Sequence, residues 1–231
     1  MRRIPFLATR FVSCLGLGMW LIIPAAAHAP HVRTQAPGFY RMMLGDFEIT
    51  VLSDGTASRH IDEIMSKPDQ IRKTFANVHQ ALPIELSINA FLINTGSQLI
   101  LVDTGAGELF APASGGWLIA NLQAAGYQPE HIDAVLVTHM HADHSGGLSL
   151  GGRRVFSNAL VYVSRHDSPE ITIEYDMDRD AAIASRKRLL ADAAKQGTLI
   201  GGAHISFPGL GHVRADAQGY SWIALPYSTG Q

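Results

Sequence analysis

Thr138-His139-Met140-His141-Ala142-Asp143-His144-Ser145-Gly146-Gly147 sets three imidazoles and one carboxylate within six residues. Zinc and similar borderline divalent ions take that mixed nitrogen and oxygen donor set. The run follows Ala134-Val135-Leu136-Val137, an apolar stretch predicted as a buried strand, and passes into a Gly-Gly turn. A loop anchored on a core strand can aim several donors at one point, which a free coil cannot. The stretch therefore predicts a metal site, with donors enough to involve two ions.

Working outward, the first residues read as an address. Arg2, Arg3 and Arg10 form a basic region, Phe11 to Ile23 is apolar, and Pro24 precedes the small-residue pattern Ala27-His28-Ala29. The apolar run is too short for a membrane span, so a signal peptide over residues 1–29 is expected rather than a short anchor. Arg2-Arg3 has the wrong spacing from Phe6-Leu7 for the twin-arginine route. The expected location is periplasmic or secreted. Residues 30–231 are read as a single domain. Its loss of three arginines moves the formal charge from −2 to −5 (15 basic against 20 acidic residues). That balance gives no electrostatic support for nucleic-acid binding, and no membrane association is expected after cleavage. The single cysteine, Cys14, lies in the leader, so the remaining chain has neither a disulfide nor thiolate chemistry.

The organisation predicted is mixed α/β. Phe47 to Leu52 alternates as a strand ending at a turn, Ser53-Asp54-Gly55. Ile88 to Ile93 and Leu99 to Val102 flank Asn94-Thr95-Gly96-Ser97 as a hairpin. Trp117 to Ala125 is a helix stopped by Gly126. Residues 180 to 196 form another, with Ala182, Ile183, Leu189, Leu190, Ala193 and Ala194 as its apolar stripe, Asp180 as cap and Gly197 as stop. Ala159 to Val163, Thr198 to Gly201 and Tyr220 to Leu225 complete the strands.

Asp103-Thr104-Gly105 closing one strand and His-x-His-x-Asp-His-x-Gly-Gly closing the next resemble the metallo-β-lactamase-fold hydrolases. Tyr40 to Ile49, Asn121 to Gln128 and Phe207-Pro208-Gly209 through Arg214 look like its exported branch, which includes methyl parathion hydrolase and lactonase-like relatives. The likeness covers roughly Ala36 to Arg165 and Ile171 to Tyr227. It implies an αββα sandwich with two metals at one edge of the sheets. His139 and His141 would bind the first metal; Asp143, His144 and His204 would bind the second. Asp143 is also the candidate catalytic residue. Asp103 would orient the His loop through hydrogen bonds, and Phe110 would line a substrate pocket, with ordinary core packing as the alternative. Zinc is the expected ion, with Mn, Co or Fe as alternatives. The implied chemistry is metal-assisted hydrolysis of a small-molecule ester, lactone, amide or phosphotriester.

The chain departs from that pattern in one place. Relatives carry a Pro-Gly-His-x-x-Gly-His type segment and later a Gly-Asp strand end, which supply a further histidine and a bridging aspartate. Here Val161-Tyr162-Val163-Ser164-Arg165-His166 runs almost directly into Ile171-Thr172-Ile173-Glu174-Tyr175-Asp176. A block of strands is missing around Asp167-Ser168, and the second half of the sandwich is expected to be incomplete. The first metal is then two donors short, so one ion is expected rather than two. His166 and Asp167 are the candidates to repair it. His60, His79 and His131 are read as ordinary surface histidines, and His212 as a structural or substrate-contacting residue. Lost inner strands would expose sheet edges, making a homodimer a candidate assembly. Two functions follow: a hydrolase, or a degenerate member that binds one metal or a small molecule without turnover.

Overall fold

Tight reversals and alternating apolar residues build the first sheet from the N-terminal side. In the computed structural model, which describes residues 31–110, 115–163, 179–217 and 219–228, all regular elements fall within Gln35–Gln231. Strand β1 (Phe39–Leu44) turns at Gly45, whose φ of 60° suits glycine, into β2 (Phe47–Arg59). Two short helices follow, α1 (Ile61–Ile64) and α2 (Pro68–Asn77), neither predicted from the sequence. Pro68 starts α2, and none of its residues is fully buried; its apolar face is only Ile71 and Phe75, both half-buried. Then come β3 (Ile84–Asn94) and β4 (Leu99–Val102), antiparallel with Asn94 opposite Leu99, the predicted hairpin lengthened by four residues at its start.

From β4 the connections become crossovers. Helix α3 (Leu118–Ala124) leads to β5 (Ala134–Leu136), and α4 (Ala142–Ser145) to β8 (Leu160–Tyr162), with the small ribbon β6 (Ser149–Leu150) and β7 (Arg153–Arg154) between them. Strands β4, β5 and β8 are parallel, and the sheet order is β1-β2-β3-β4-β5-β8. Leu118 and Leu122 of α3 pack on Leu52, Leu92, Leu101 and Val135 in the main core.

The second sheet is small: β11 (Gly219–Ala224), β10 (Leu210–Asp216) and β9 (Ile200–Gly201), in that order, with α5 (Arg179–Gln196) against β10. Leu210 joins Tyr40 and Val51 in a second cluster that connects the sheets. Two expectations change here. The strand through Phe47 does not stop at Ser53-Asp54-Gly55 but runs on to Arg59, taking those residues up as a bulge in which Asp54 has no partner on β3. The expected stripe of α5 is only partly covered: Ala193 is buried, whereas Ile183 and Leu189 are exposed. The helix starts at Arg179, one residue before the expected cap Asp180, whose side chain lies outside the described residues. Strand β8 ends the sheet order, and its Leu160, Val161 and Tyr162 are exposed. The chain from 164 to 178, with His166, Asp167 and the apparent junction, lies outside the described residues.

Candidate metal centre

Adjacent parallel strands bring their C-terminal ends side by side, and in α/β sheets ligands bind at such ends. The loop after β4 carries Asp103 and the loop after β5 carries the histidines. They are stitched together by Asp103 N–H to the Leu136 carbonyl (2.9 Å), Thr104 N–H to the His144 carbonyl (2.8 Å) and Gly147 N–H to the Gly105 carbonyl (3.1 Å). Gly146 and Gly147 are there for proximity. A Cβ on either would overlap a carbonyl oxygen, that of Ala106 or Thr104.

Asp103 holds a left-handed backbone conformation (φ 60°), uncommon for a residue with a side chain. Its buried carboxylate accepts the Thr138 amide at 2.8 Å, the Thr138 hydroxyl at 2.9 Å and Nδ1–H of His144 at 2.8 Å. A carboxylate only accepts, so Nδ1 of His144 carries a proton and Nε2 is the nitrogen presented outward.

The other wall comes from the loop that β9 leads into. Asn89 of β3 donates from Nδ2 to the carbonyls of Gly202 (3.2 Å) and Ile205 (2.8 Å), and its amide donates to the Ala203 carbonyl (2.9 Å). Ser87 Oγ accepts the Phe207 amide at 3.2 Å. Gly209, at φ 68°, leaves no room for a Cβ against the Gly202 carbonyl. So pinned, His204 donates Nδ1–H to the Ser87 carbonyl at 3.0 Å, and its Nε2 lone pair also points outward.

These lone pairs meet. Nε2 of His144 and Nε2 of His204 are 3.2 Å apart, and Oδ2 of Asp143 lies 3.6 Å from the first and 3.4 Å from the second. Three acceptors converge with no donor of their own. Ligands about 2.1 Å from a tetrahedral ion stand roughly 3.4 Å from one another, so the triangle has the size a bound cation requires. Asp143, His144 and His204 form the trio of metal-type donors found among the described residues.

His139 and His141 sit beside this trio without completing a second one. The His139 ring centroid is 4.0 Å from that of His144. The Thr138 hydroxyl, already donating to Asp103, accepts Nδ1–H of His139 at 3.1 Å, and Nε2 of His139 faces Nδ1 of His141 at 2.9 Å. Burial, with the neighbouring His144 and His141 rings adding to it, pushes the His139 pKa below the usual histidine range. Of the other histidines, His212 donates Nδ1–H to the Thr198 carbonyl and Nδ1 of His131 accepts the Gln128 amide, both away from the trio. Phe110 borders a cavity of about 380 Å³ shared with His141, Asp143 and His204, and also a second, largely apolar one of about 390 Å³.

Sequence reasoning missed a supporting acid. Asp54, buried within β2, accepts amides from Ala106 (2.8 Å) and Gly116 (3.0 Å) on Oδ2 and from Leu118 (3.0 Å) on Oδ1. It thereby ties the Asp103 loop to the start of α3. Burial raises its pKa, with the three amides pulling back. The available signal was an acid inside a long apolar strand, masked by turn-forming neighbours. Asn89 was hidden in the same way, as one polar residue among Ile88 to Ile93.

Known proteins share the family and the fold. A family model of the metallo-beta-lactamase superfamily matches residues 83–215. Lactamase-like protein adaB of Aspergillus niger is 34% identical over 86 residues, covering 35% of this chain and 24% of that protein. Beta-lactamase-like protein 2 homolog of Caenorhabditis elegans is 30% identical over 90 residues, covering 38% of this chain and 28% of its own. The match thus spans about a quarter of each of these relatives. Among solved structures, hydrolase AbOPH of the beta lactamase superfamily is 25% identical with a TM-score of 0.75, covering 84% of this chain and 100% of that one. AidC, a dizinc quorum-quenching lactonase, shares the fold at 21% identity and a TM-score of 0.73, covering 83% and 99%. With more than half of its residues matched by the family model, and a mixed α/β fold shared with these structures, the chain belongs to the metallo-beta-lactamase superfamily.

Proposed function

We propose that the chain is a metal-dependent hydrolase that holds one divalent ion, zinc first among the candidates, on Asp143, His144 and His204. The observation that carries this reading is the triangle of acceptors, 3.2, 3.4 and 3.6 Å on its sides, with both rings' other nitrogens already committed. An ion held there would lower the pKa of its bound water to about 7 and would polarise a carbonyl or phosphoryl oxygen. The chain's own residues do the rest. Asp103 and the Ser87 carbonyl hold the two imidazoles in the productive tautomer, Asp143 adds the negative charge that suits a cation, and Phe110 walls the cavity beside them. The substrate class is an ester, lactone or phosphotriester of small size. It follows the exported-branch likeness to methyl parathion hydrolase and lactonase-like relatives, with residues 1–29 removed and the remainder periplasmic or secreted. Nucleic acid and membrane are not among the proposed partners, and a homodimer is the assembly to test.

A second reading, binding of one metal or a small molecule without turnover, is favoured by one observation: among the described residues no third donor joins His139 and His141. Both readings meet in one experiment. The purified chain, reconstituted with zinc or manganese, is assayed by elemental analysis and against aryl esters, lactones and phosphotriesters. One ion per chain, with turnover abolished in a His141→Ala, Asp143→Ala double variant, supports the hydrolase. One ion without turnover supports the second reading. No metal above background rejects the hydrolase and the metal-binding form of the second reading.

A further inference from the structure

A positive side chain faces the same cavity from the opposite sheet edge. Arg59 is the last residue of β2, opposite Ile84 of β3. Its guanidinium carbon lies 5.6 Å from the centroid of the Phe110 ring, within the range of a cation–π contact. Both residues line the cavity of about 380 Å³ that also includes His141, Asp143 and His204, and the wall between is aliphatic, with Leu86 and Ile88 of β3.

Among the described residues no carboxylate lies within ion-pair distance of Arg59, and its Nη1–H donates to the carbonyl of Ser58 at 2.9 Å. The other arginines of the β2 and α2 region are paired: Arg41 with Glu48 at 3.2 Å, and Arg72 with Asp62 and Asp69 at 2.7 Å each. A guanidinium has five N–H donors in a planar fork. Stacking on an aromatic ring holds the plane while leaving the fork's edge for a carboxylate, which it meets bidentately.

We infer that Arg59 is an oxyanion-binding residue of this cavity, and that the substrate carries a carboxylate in addition to the bond that is hydrolysed. The inference rests on the hydrolase reading for the second clause only. With a cation held on the trio, that site and the guanidinium would be two positive poles of one cavity whose lining also includes aliphatic side chains. A molecule with an ester at one end and a carboxylate at the other fits that polarity, whereas a neutral ester leaves the fork unsatisfied.

Two measurements on the full chain test it. First, benzoate is titrated calorimetrically into metal-free wild type and into Arg59→Ala and Arg59→Lys variants, each checked for folding by circular dichroism. Binding in the wild type, weakened about tenfold in Arg59→Ala and partly restored in Arg59→Lys, is expected for a charge-assisted contact. Equal binding in wild type and Arg59→Ala, or none in the wild type, overturns the inference. Second, the zinc-loaded chain is given phenyl acetate and 4-acetoxybenzoate. The carboxylated ester should show a KM about tenfold lower than phenyl acetate, and that difference should disappear in Arg59→Ala. Benzoate binding through Arg59 without turnover of either ester rejects the hydrolase while leaving the oxyanion site standing. Turnover of both esters with equal KM rejects the carboxylate-bearing substrate.

Discussion

Nε2 of His144 and Nε2 of His204 approach to 3.2 Å, each on a ring whose Nδ1 is engaged elsewhere, by Asp103 and by the Ser87 carbonyl. Two lone pairs so placed repel unless a cation or a proton stands between them. The support for that arrangement lies in Asp103, Ser87 and Asn89.

Asp103 should govern metal affinity through His144. Asp103→Asn keeps the shape, but its amide nitrogen can face Nδ1–H of His144 and break the tautomer's hold. The expected loss is about 10- to 100-fold in zinc affinity, measured by competition with a chromophoric chelator. An affinity within twofold of wild type would mean that His144 is oriented by something else.

Asn89 should govern the His204 side. Asn89→Ala removes two hydrogen bonds to the carbonyls of Gly202 and Ile205 and leaves those groups to find new partners. Stability should fall by about 1–3 kcal/mol in urea denaturation. Zinc affinity should fall with it, because the loop that presents His204 loses its seat.

Gly147 tolerates no side chain. In Gly147→Ala the new methyl meets the Thr104 carbonyl, within the backbone that joins the two site loops. The strain should cost about 1–3 kcal/mol or more in thermal or urea unfolding. Gly151→Ala offers a comparison, since its Cβ would meet nothing, although its φ of 56° brings a backbone penalty of its own.

Asp54 and Asp62 should give opposite pH signatures. Burial raises the Asp54 pKa above its ordinary 3.8, so the folded chain takes up this proton more readily than the unfolded chain. Its contribution is complete below 3.8 and is lost as pH rises through the folded value; the stability difference between wild type and Asp54→Asn should therefore shift against wild type as pH climbs. The hydrogen bond from Arg72 lowers the Asp62 pKa. That contribution is present above 3.8 and disappears as pH falls through the folded value, so Arg72→Ala should matter at neutral pH and cease to matter in strong acid. Denaturation curves collected across that range check both.

Much of the first sheet was legible in the chain. The hairpin at Asn94 to Ser97, the helix stopped by Gly126 and the apolar strand before the histidines all rest on local patterns, and each forms where those patterns point. The Ser53-Asp54-Gly55 triplet misled because turn-forming residues also make bulges, and only pairing with β3 decides between the two. The α5 stripe misled because an apolar face is buried only where something covers it.

By itself, then, the sequence determined that His139, His141, Asp143 and His144 would share one strand end, because closeness along the chain needs no fold to bring it about. His204 entered through family likeness, not through any local pattern. That it meets Asp143 and His144, that Asn89 and Ser87 seat its loop, and that Asp54 ties two loops to a helix were decided by the tertiary structure. Those contacts join residues 52 to 120 positions apart, and such partners are set by strand order and register, which no short stretch of sequence carries.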